Sequence, residues 1–217
     1  NLKFLVDKSS TSASVFVVSS SIGGVGKTFC TINLAYTLAL TQKRTLMIGA
    51  DLRKPQLANY INNKSKAGLS SYLAGVSNLE DVLHKGDEGE PDFIDAGEIP
   101  PNPAELLASQ KMEDLMEELK QKYDYILFDT APIGLVADSM ELFKFSDYNI
   151  LIVRQGVTPK PALKMVNELY LEGKLKNFTV LLNDIDLVKS KGSYYGGYLY
   201  GMGYSGYGFG YYEEDKE

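Results

Sequence analysis

Eight consecutive residues, Ser21-Ile-Gly-Gly-Val-Gly-Lys-Thr28, combine three glycines with a lysine and a threonine. Glycines let successive backbone N–H groups curl inward around an anion without Cβ clashes. In such a loop the lysine reaches the β- and γ-phosphates of a nucleotide and the threonine hydroxyl holds Mg2+. The full pattern G-x-x-x-x-G-K-[ST] wants a glycine where this chain has Ser21, a residue small enough to stand there. Val15-Phe-Val-Val-Ser19 reads as a strand before the loop, and a helix opens after it. The helix N-terminus adds partial positive charge at the same point. ATP with Mg2+ is the expected ligand pair, and Ile22, Gly23, Gly24, Val25, Gly26, Lys27, Thr28 and Phe29 are the candidate contacts.

Two carboxylates are expected near this loop. Asp129 ends the apolar run Tyr125-Ile-Leu-Phe, the arrangement in which an aspartate holds Mg2+ directly or through water. Asp51 follows the run ending at Ile48. With Thr28 and phosphate oxygens, the pair would make a hard oxygen shell suited to Mg2+. For Asp51 the competing reading is a turn or helix-cap residue. Lys27, Asp51 and Asp129 are the candidate catalytic residues; Thr28, Asp51 and Asp129 are the candidate metal ligands. Arg53 and Arg154 are candidates for phosphate or subunit contacts, or for surface ion pairs. Asn183, ending the last apolar run, is a candidate for the adenine edge.

The elements that must carry these groups alternate. Strands are predicted at 15–19, 44–48, 125–129, 149–153 and 178–182, with helices at 28–40, 104–121, 136–145 and 160–172. Continuous apolar strands covered by helices on both faces indicate an α/β fold with a mostly parallel sheet, and ligands on such sheets sit beyond the strands' carboxyl ends. The 217 residues suit one domain plus a tail, here 1–188 and 189–217. A hydrophobic fraction of 44% supplies a core, and a net charge of −6 argues against nucleic acid as a general partner. The single cysteine, Cys30, excludes a disulfide within the chain and reads as buried filler. His84, in a polar stretch, reads as a solvated loop residue. No apolar run is long enough to span a membrane and no secretory signal is present. A first residue of Asn1 suggests a piece of a longer protein.

The C-terminal stretch is different in kind. Tyr194, Tyr195, Tyr198, Tyr200, Tyr204, Tyr207, Tyr211 and Tyr212 are separated mostly by glycines, which suits a flexible tail. Such a backbone can thread one phenol after another into a cleft, and each phosphorylation would add about −1.5 to −2 charges. A self-associating low-complexity tail is the alternative.

Together these residues resemble the bacterial tyrosine kinases, the cytoplasmic autokinase domains of exopolysaccharide and capsule synthesis systems. Ser19-Ser-Ser-Ile-Gly-Gly-Val-Gly-Lys-Thr28 is similar to their first nucleotide motif, Ala50-Asp-Leu-Arg-Lys-Pro55 to their second, and Phe128-Asp-Thr-Ala-Pro-Ile133 to their third. Ile99-Pro-Pro-Asn-Pro-Ala-Glu-Leu-Leu-Ala-Ser109 and the tyrosine tail are the most specific matches. The resemblance implies autophosphorylation of the tail tyrosines between subunits, ring assembly of the full-length protein, and a cognate tyrosine phosphatase. It also implies service to a polysaccharide synthesis and export machinery, and attachment as the cytoplasmic domain of a bacterial inner-membrane protein. The family's second motif usually has an aspartate two places before Asp51, the usual candidate base; this chain has Gly49. Either Asp51 or Asp129 then takes the tyrosine proton, or loose phosphoryl transfer needs little base help. Competing readings are a MinD/ParA-type positioning ATPase, whose signature lysine is replaced here by Ile22, and a non-catalytic nucleotide-binding regulator.

Overall fold

Runs of β-branched and aromatic residues form the strands of one sheet, and amphipathic segments between them cover both of its faces. The computed structural model describes residues 13–61, 65–133, 138–173 and 177–186. Its strands are β1 (Ser14–Ser20), β2 (Thr45–Gly49), β3 (Leu83–His84), β4 (Asp92–Ile94), β5 (Tyr125–Asp129), β6 (Tyr148–Arg154) and β7 (Phe178–Asn183). They lie in the order β3-β4-β2-β5-β1-β6-β7, parallel except for the β3–β4 pair. The chain divides after Asn183, and the fold and site below belong to the unit that ends there.

The longer helices are α1 (Lys27–Ala39), α6 (Gln110–Lys122) and α8 (Lys160–Leu171); the shorter are α2 (Leu57–Tyr60), α3 (Leu69–Leu73), α4 (Leu79–Val82), α5 (Pro103–Leu107) and α7 (Asp138–Leu142). Strand residues alternate between faces. Phe16, Val18, Met47 and Leu127 pack with Ala35 and Leu38 of α1 and Leu57 of α2. Val15, Val17, Ile48 and Phe128 face the other way, onto α3, α5 and α6. A third cluster joins Leu151 and Val153 of β6 to Val166 of α8. No helix among the described residues is long and apolar enough to cross a membrane.

The five expected strands and the parallel sheet are present, with no boundary shifted by more than one residue. Two further strands were not legible. β3 and β4 are two and three residues long, too short to show a period against the polar loop around them. The predicted helix over 104–121 is two helices. Pro103 opens α5, and the Ser109 hydroxyl caps α6 by accepting from the Met112 N–H at 3.3 Å, so the chain turns between them. His84 corrects the solvated-loop reading. It sits on β3, half-buried, its ring stacked on Phe93 at 4.7 Å between centroids. The start of the predicted 136–145 helix and the whole tyrosine tail lie outside the described residues.

Leu119 of α6 is fully buried in the cluster on the face away from α1. Leu119→Ala should cost about 2–5 kcal/mol of stability. Denaturant unfolding would measure the loss, and titration with nucleotide should give an unchanged affinity, because the cavity lies across the sheet from the site.

Candidate active site

The sheet fixes the site by register. In the parallel pairing of β1 with β5, Val18 stands beside Asp129; in that of β2 with β5, Gly49 stands beside Asp129. The chain leaving β1 therefore turns over the carboxylate that ends β5. Ser21 to Gly26 make the turn, and α1 begins at Lys27 with no acidic residue in its first turn, leaving its positive end facing the loop. Gly24 and Gly26 hold φ of 77° and 89°, a region that side chains disfavour.

Lys27 and Thr28 close on the same carboxylate. Lys27 Nζ donates to Asp129 Oδ1 at 2.8 Å, and Thr28 Oγ1 donates to Asp129 Oδ2 at 2.7 Å. Lys27 and Asp129 are 9% and 2% exposed, so this is a buried ion pair with both carboxylate oxygens engaged. Burying either charge alone is costly, and each group is held by the other.

Two side chains from the neighbouring strands fasten the loop from outside. Arg154 and Asn183 are register partners at the ends of β6 and β7. Arg154 Nη1 donates to the Gly24 carbonyl at 3.0 Å, and Asn183 Nδ2 donates to the Val25 carbonyl at 2.9 Å. With these carbonyls drawn outward, the loop's N–H groups are left to face the interior of the turn. A Cβ at Gly26 would run into Asn183 Nδ2, whereas a Cβ at Gly23 or Gly24 would meet nothing within 4 Å. The cradle is thus tight on the Asn183 side and open around Gly23 and Gly24.

The remaining predicted residues are placed as follows. Ile22 is half-buried against the α1-side cluster and Val25 is fully buried in it. Phe29, on the first turn of α1, is 52% exposed. Asp51 is in a turn: its Oδ1 accepts from the N–H of Lys54 at 3.0 Å and of Arg53 at 3.3 Å. Arg53 itself is exposed. Asn183 uses its amide on the loop, a role sequence reading did not foresee, and Arg154 joins it. Nothing in either residue's local sequence signals this, since it depends on β6 and β7 ending level with the loop. Burial pushes the Cys30 thiol up, away from thiolate chemistry.

The donor set fits a magnesium nucleotide. Thr28 and Asp129 bring a hydroxyl and a carboxylate to one point beside the cradle, and the Ser21 hydroxyl is buried at the loop with no hydrogen-bond partner among the described residues. No group of three or more His, Cys, Asp or Glu that could hold a metal occurs among the described residues. Mg2+ is commonly held by one or two protein oxygens together with phosphates and water, and Thr28 and Asp129 are the oxygens that would serve here.

Comparison with known proteins agrees with this chemistry. The AAA domain family matches residues 13–170. The tyrosine-protein kinase YwqD of Bacillus subtilis is 36% identical over 181 residues, 83% of this chain and 76% of that protein. This chain belongs to the bacterial tyrosine kinases. The relation to the kinase ptk of Acinetobacter johnsonii is 33% identity over 82% of this chain, but only 24% of that longer protein. Among solved structures, the kinase domain of the Escherichia coli tyrosine kinase ETK superposes with a TM-score of 0.79 at 28% identity, covering 85% of this chain and 72% of that one. The VpsO kinase domain gives a TM-score of 0.74 at 34% identity over 80% of this chain and 86% of its own. A MinD protein of Pyrococcus horikoshii, solved with Mg-ADP, shares the fold at 22% identity and a TM-score of 0.65.

Two glycine variants separate folding from binding. Gly26→Ala should lower both Tm and nucleotide affinity, because the new methyl displaces Asn183 and the φ is unfavourable. Gly23→Ala should leave Tm within about 2 °C yet weaken nucleotide binding, because its Cβ enters space that phosphate oxygens would take. Thermal melting and calorimetric titration with ADP would check both.

Proposed function

We propose that this chain is an ATP- and magnesium-dependent tyrosine autokinase that modifies its own C-terminal tyrosines, Tyr194 to Tyr212, in trans. One observation carries the reading: Lys27 and Thr28 both close on Asp129 beneath an open glycine cradle. Family membership supports the reaction type. The tail tyrosines lie outside the described residues, and their role as acceptors rests on their number, spacing and glycine-rich setting. Residues 1–188 would be the kinase domain and 189–217 the acceptor tail.

The residues act as follows. The loop N–H groups and the positive end of α1 bind the β- and γ-phosphates. Lys27 turns from Asp129 to the phosphates as their charge arrives, which frees the carboxylate. Thr28 and Asp129, with Asp51 just beyond the end of β2, would hold Mg2+. Magnesium, when bound, would supply neutralisation of the phosphate charge that builds up during transfer. The tyrosine Oη forms a bond to the γ-phosphorus as the bond to the β-phosphate oxygen breaks. ADP leaves, and the phenolic proton passes to Asp51, Asp129 or solvent. Most of the acceleration comes from alignment and charge stabilisation.

Several finer elements follow from the resemblance. They are magnesium dependence, ring assembly in a longer protein, a cognate tyrosine phosphatase, and attachment to a bacterial inner membrane beside polysaccharide export machinery. One relative is a putative tyrosine-protein kinase in the cps region of Klebsiella pneumoniae, which supports that setting.

Incubation with ATP and Mg2+ followed by mass spectrometry is the direct test. Phosphate should appear within Tyr194–Tyr212 and vanish in Lys27→Met and in Asp129→Asn. Hydrolysis of ATP with an unmodified tail would favour a MinD-type switch and overturn the kinase reading. Near-normal transfer by Asp129→Asn would remove that carboxylate from the mechanism.

A further inference from the structure

Among the described residues only three charged side chains are buried: Lys27, Asp129 and Asp95. The first two pair with each other. Asp95 is 3% exposed and forms no ion pair among the described residues. A buried carboxylate without a cation must be held by hydrogen bonds.

Its position is informative. Asp95 directly follows β4, one step beyond the Ile48–Ile94 register pair, so it stands level with Gly49 of β2 and, one strand further, with Asp129 of β5. Met47, Phe93 and Leu127 point to the α1 face, and Ile48, Ile94 and Phe128 to the other. The two-residue period returns positions 49, 95 and 129 to the α1 face. Asp95 therefore lies at the same edge, on the same face, as the phosphate cradle. At about 4.8 Å per strand it is roughly 10 Å from Asp129, too far to share its ligands directly.

Its bonds run to the segment between. Asp95 Oδ1 accepts from the Ala58 N–H at 3.1 Å and Oδ2 from the Gly97 N–H at 3.3 Å. Its backbone carbonyl accepts from the Leu69 N–H at 2.7 Å. Ala58 is in α2, at the far end of the loop that begins with Asp51 and Arg53. The near end is fixed by the sheet through Ala50 N–H to the Asp129 carbonyl at 2.8 Å. Gly49 lets the two strand ends meet: a Cβ there would sit 3.0 Å from the Ala96 nitrogen and 3.5 Å from the Asp95 carbonyl carbon.

We propose that Asp95 is a positioning residue for the metal-bearing side of the site: it fastens loop 51–58 to the sheet so that the Asp51 carboxylate is presented toward magnesium-bound phosphate. The proposal rests on the reading of this site as a magnesium-nucleotide site.

The test is Asp95→Asn in the full chain, with Asp51→Ala and the double variant beside it. Calorimetry with ADP, with and without Mg2+, and amide exchange across residues 53–58 are the readouts. Asp95→Asn should weaken Mg-ADP binding by about 10- to 100-fold, leave ADP binding in EDTA unchanged within about twofold, and speed exchange at 53–58 but not in α1. The double variant should bind Mg-ADP no more weakly than Asp51→Ala. Full additivity of the two losses, or unchanged exchange in the loop, would overturn the role given to Asp95 while leaving the kinase reading intact. A wild-type chain whose ADP affinity does not respond to Mg2+ would overturn both. Should Asp95→Asn fail to melt cooperatively, Asp95→Ser is read by the same measurements, and the same outcomes decide.

Discussion

Everything at the carboxyl edge of this sheet is arranged around one buried charge. Asp129 ends a strand in the middle of the sheet, 2% exposed, where an isolated carboxylate would cost several kcal/mol. Lys27 and Thr28 satisfy both of its oxygens. Removing either charge of such a pair typically costs about 3–5 kcal/mol, because the other remains buried and unmatched. In the proposed reaction the substrate would remove neither charge but would substitute for each partner: phosphate oxygens would take the ammonium, and a divalent ion the carboxylate. A closed triad of this kind keeps the site charge-balanced without nucleotide, and on the proposed reading that balance would pass to the nucleotide on binding.

The loop above that triad is held by parts far away in sequence. Arg154 and Asn183 come from the two strands on the other side of β1, more than a hundred residues along the chain, and pull on adjacent carbonyls. Orienting carbonyls outward is equivalent to orienting N–H groups inward, so two side chains that need touch no phosphate shape the phosphate cradle. Gly26 is where this arrangement leaves no room, and Gly23 and Gly24 are where it leaves space. Three glycines of one motif thus carry different constraints.

Much of this was legible in the sequence, for identifiable reasons. β1, β2, β5 and β6 are buried on both faces and read as unbroken apolar runs, and the glycine-rich turn before α1 has a composition few other structures need. Asp129 stood out because a charge ends an apolar strand. β3 and β4 were missed because two or three residues cannot display a period. The 104–121 segment was misread because its amphipathic pattern runs through Ser109, and a cap is a backbone event that periodicity does not register. His84 was misread because its neighbours are polar, while its burial comes from stacking across the β3–β4 pair. Arg154 and Asn183 were noticed as strand-end residues, but their shared target could be known only from the register of β6 with β7.

Asp95 is the extreme case of that last kind. In the sequence it is one acidic residue in Ile94-Asp-Ala-Gly97, with no motif around it and no strand recognised before it. The sheet gives it meaning by setting β4 beside β2 and β2 beside β5, so that positions 95, 49 and 129 form a row along one face. The middle position of that row is a glycine, and its missing side chain lets the backbone after β4 approach closely enough for a carboxylate to reach α2. Charge and space are therefore divided among three strands: one carboxylate pairs with the loop lysine, one glycine opens the gap, and one carboxylate holds the segment that carries Asp51. A parallel sheet ends all its strands at a common edge, so such a division requires only that neighbouring strands keep register, which the buried rows on either face already enforce.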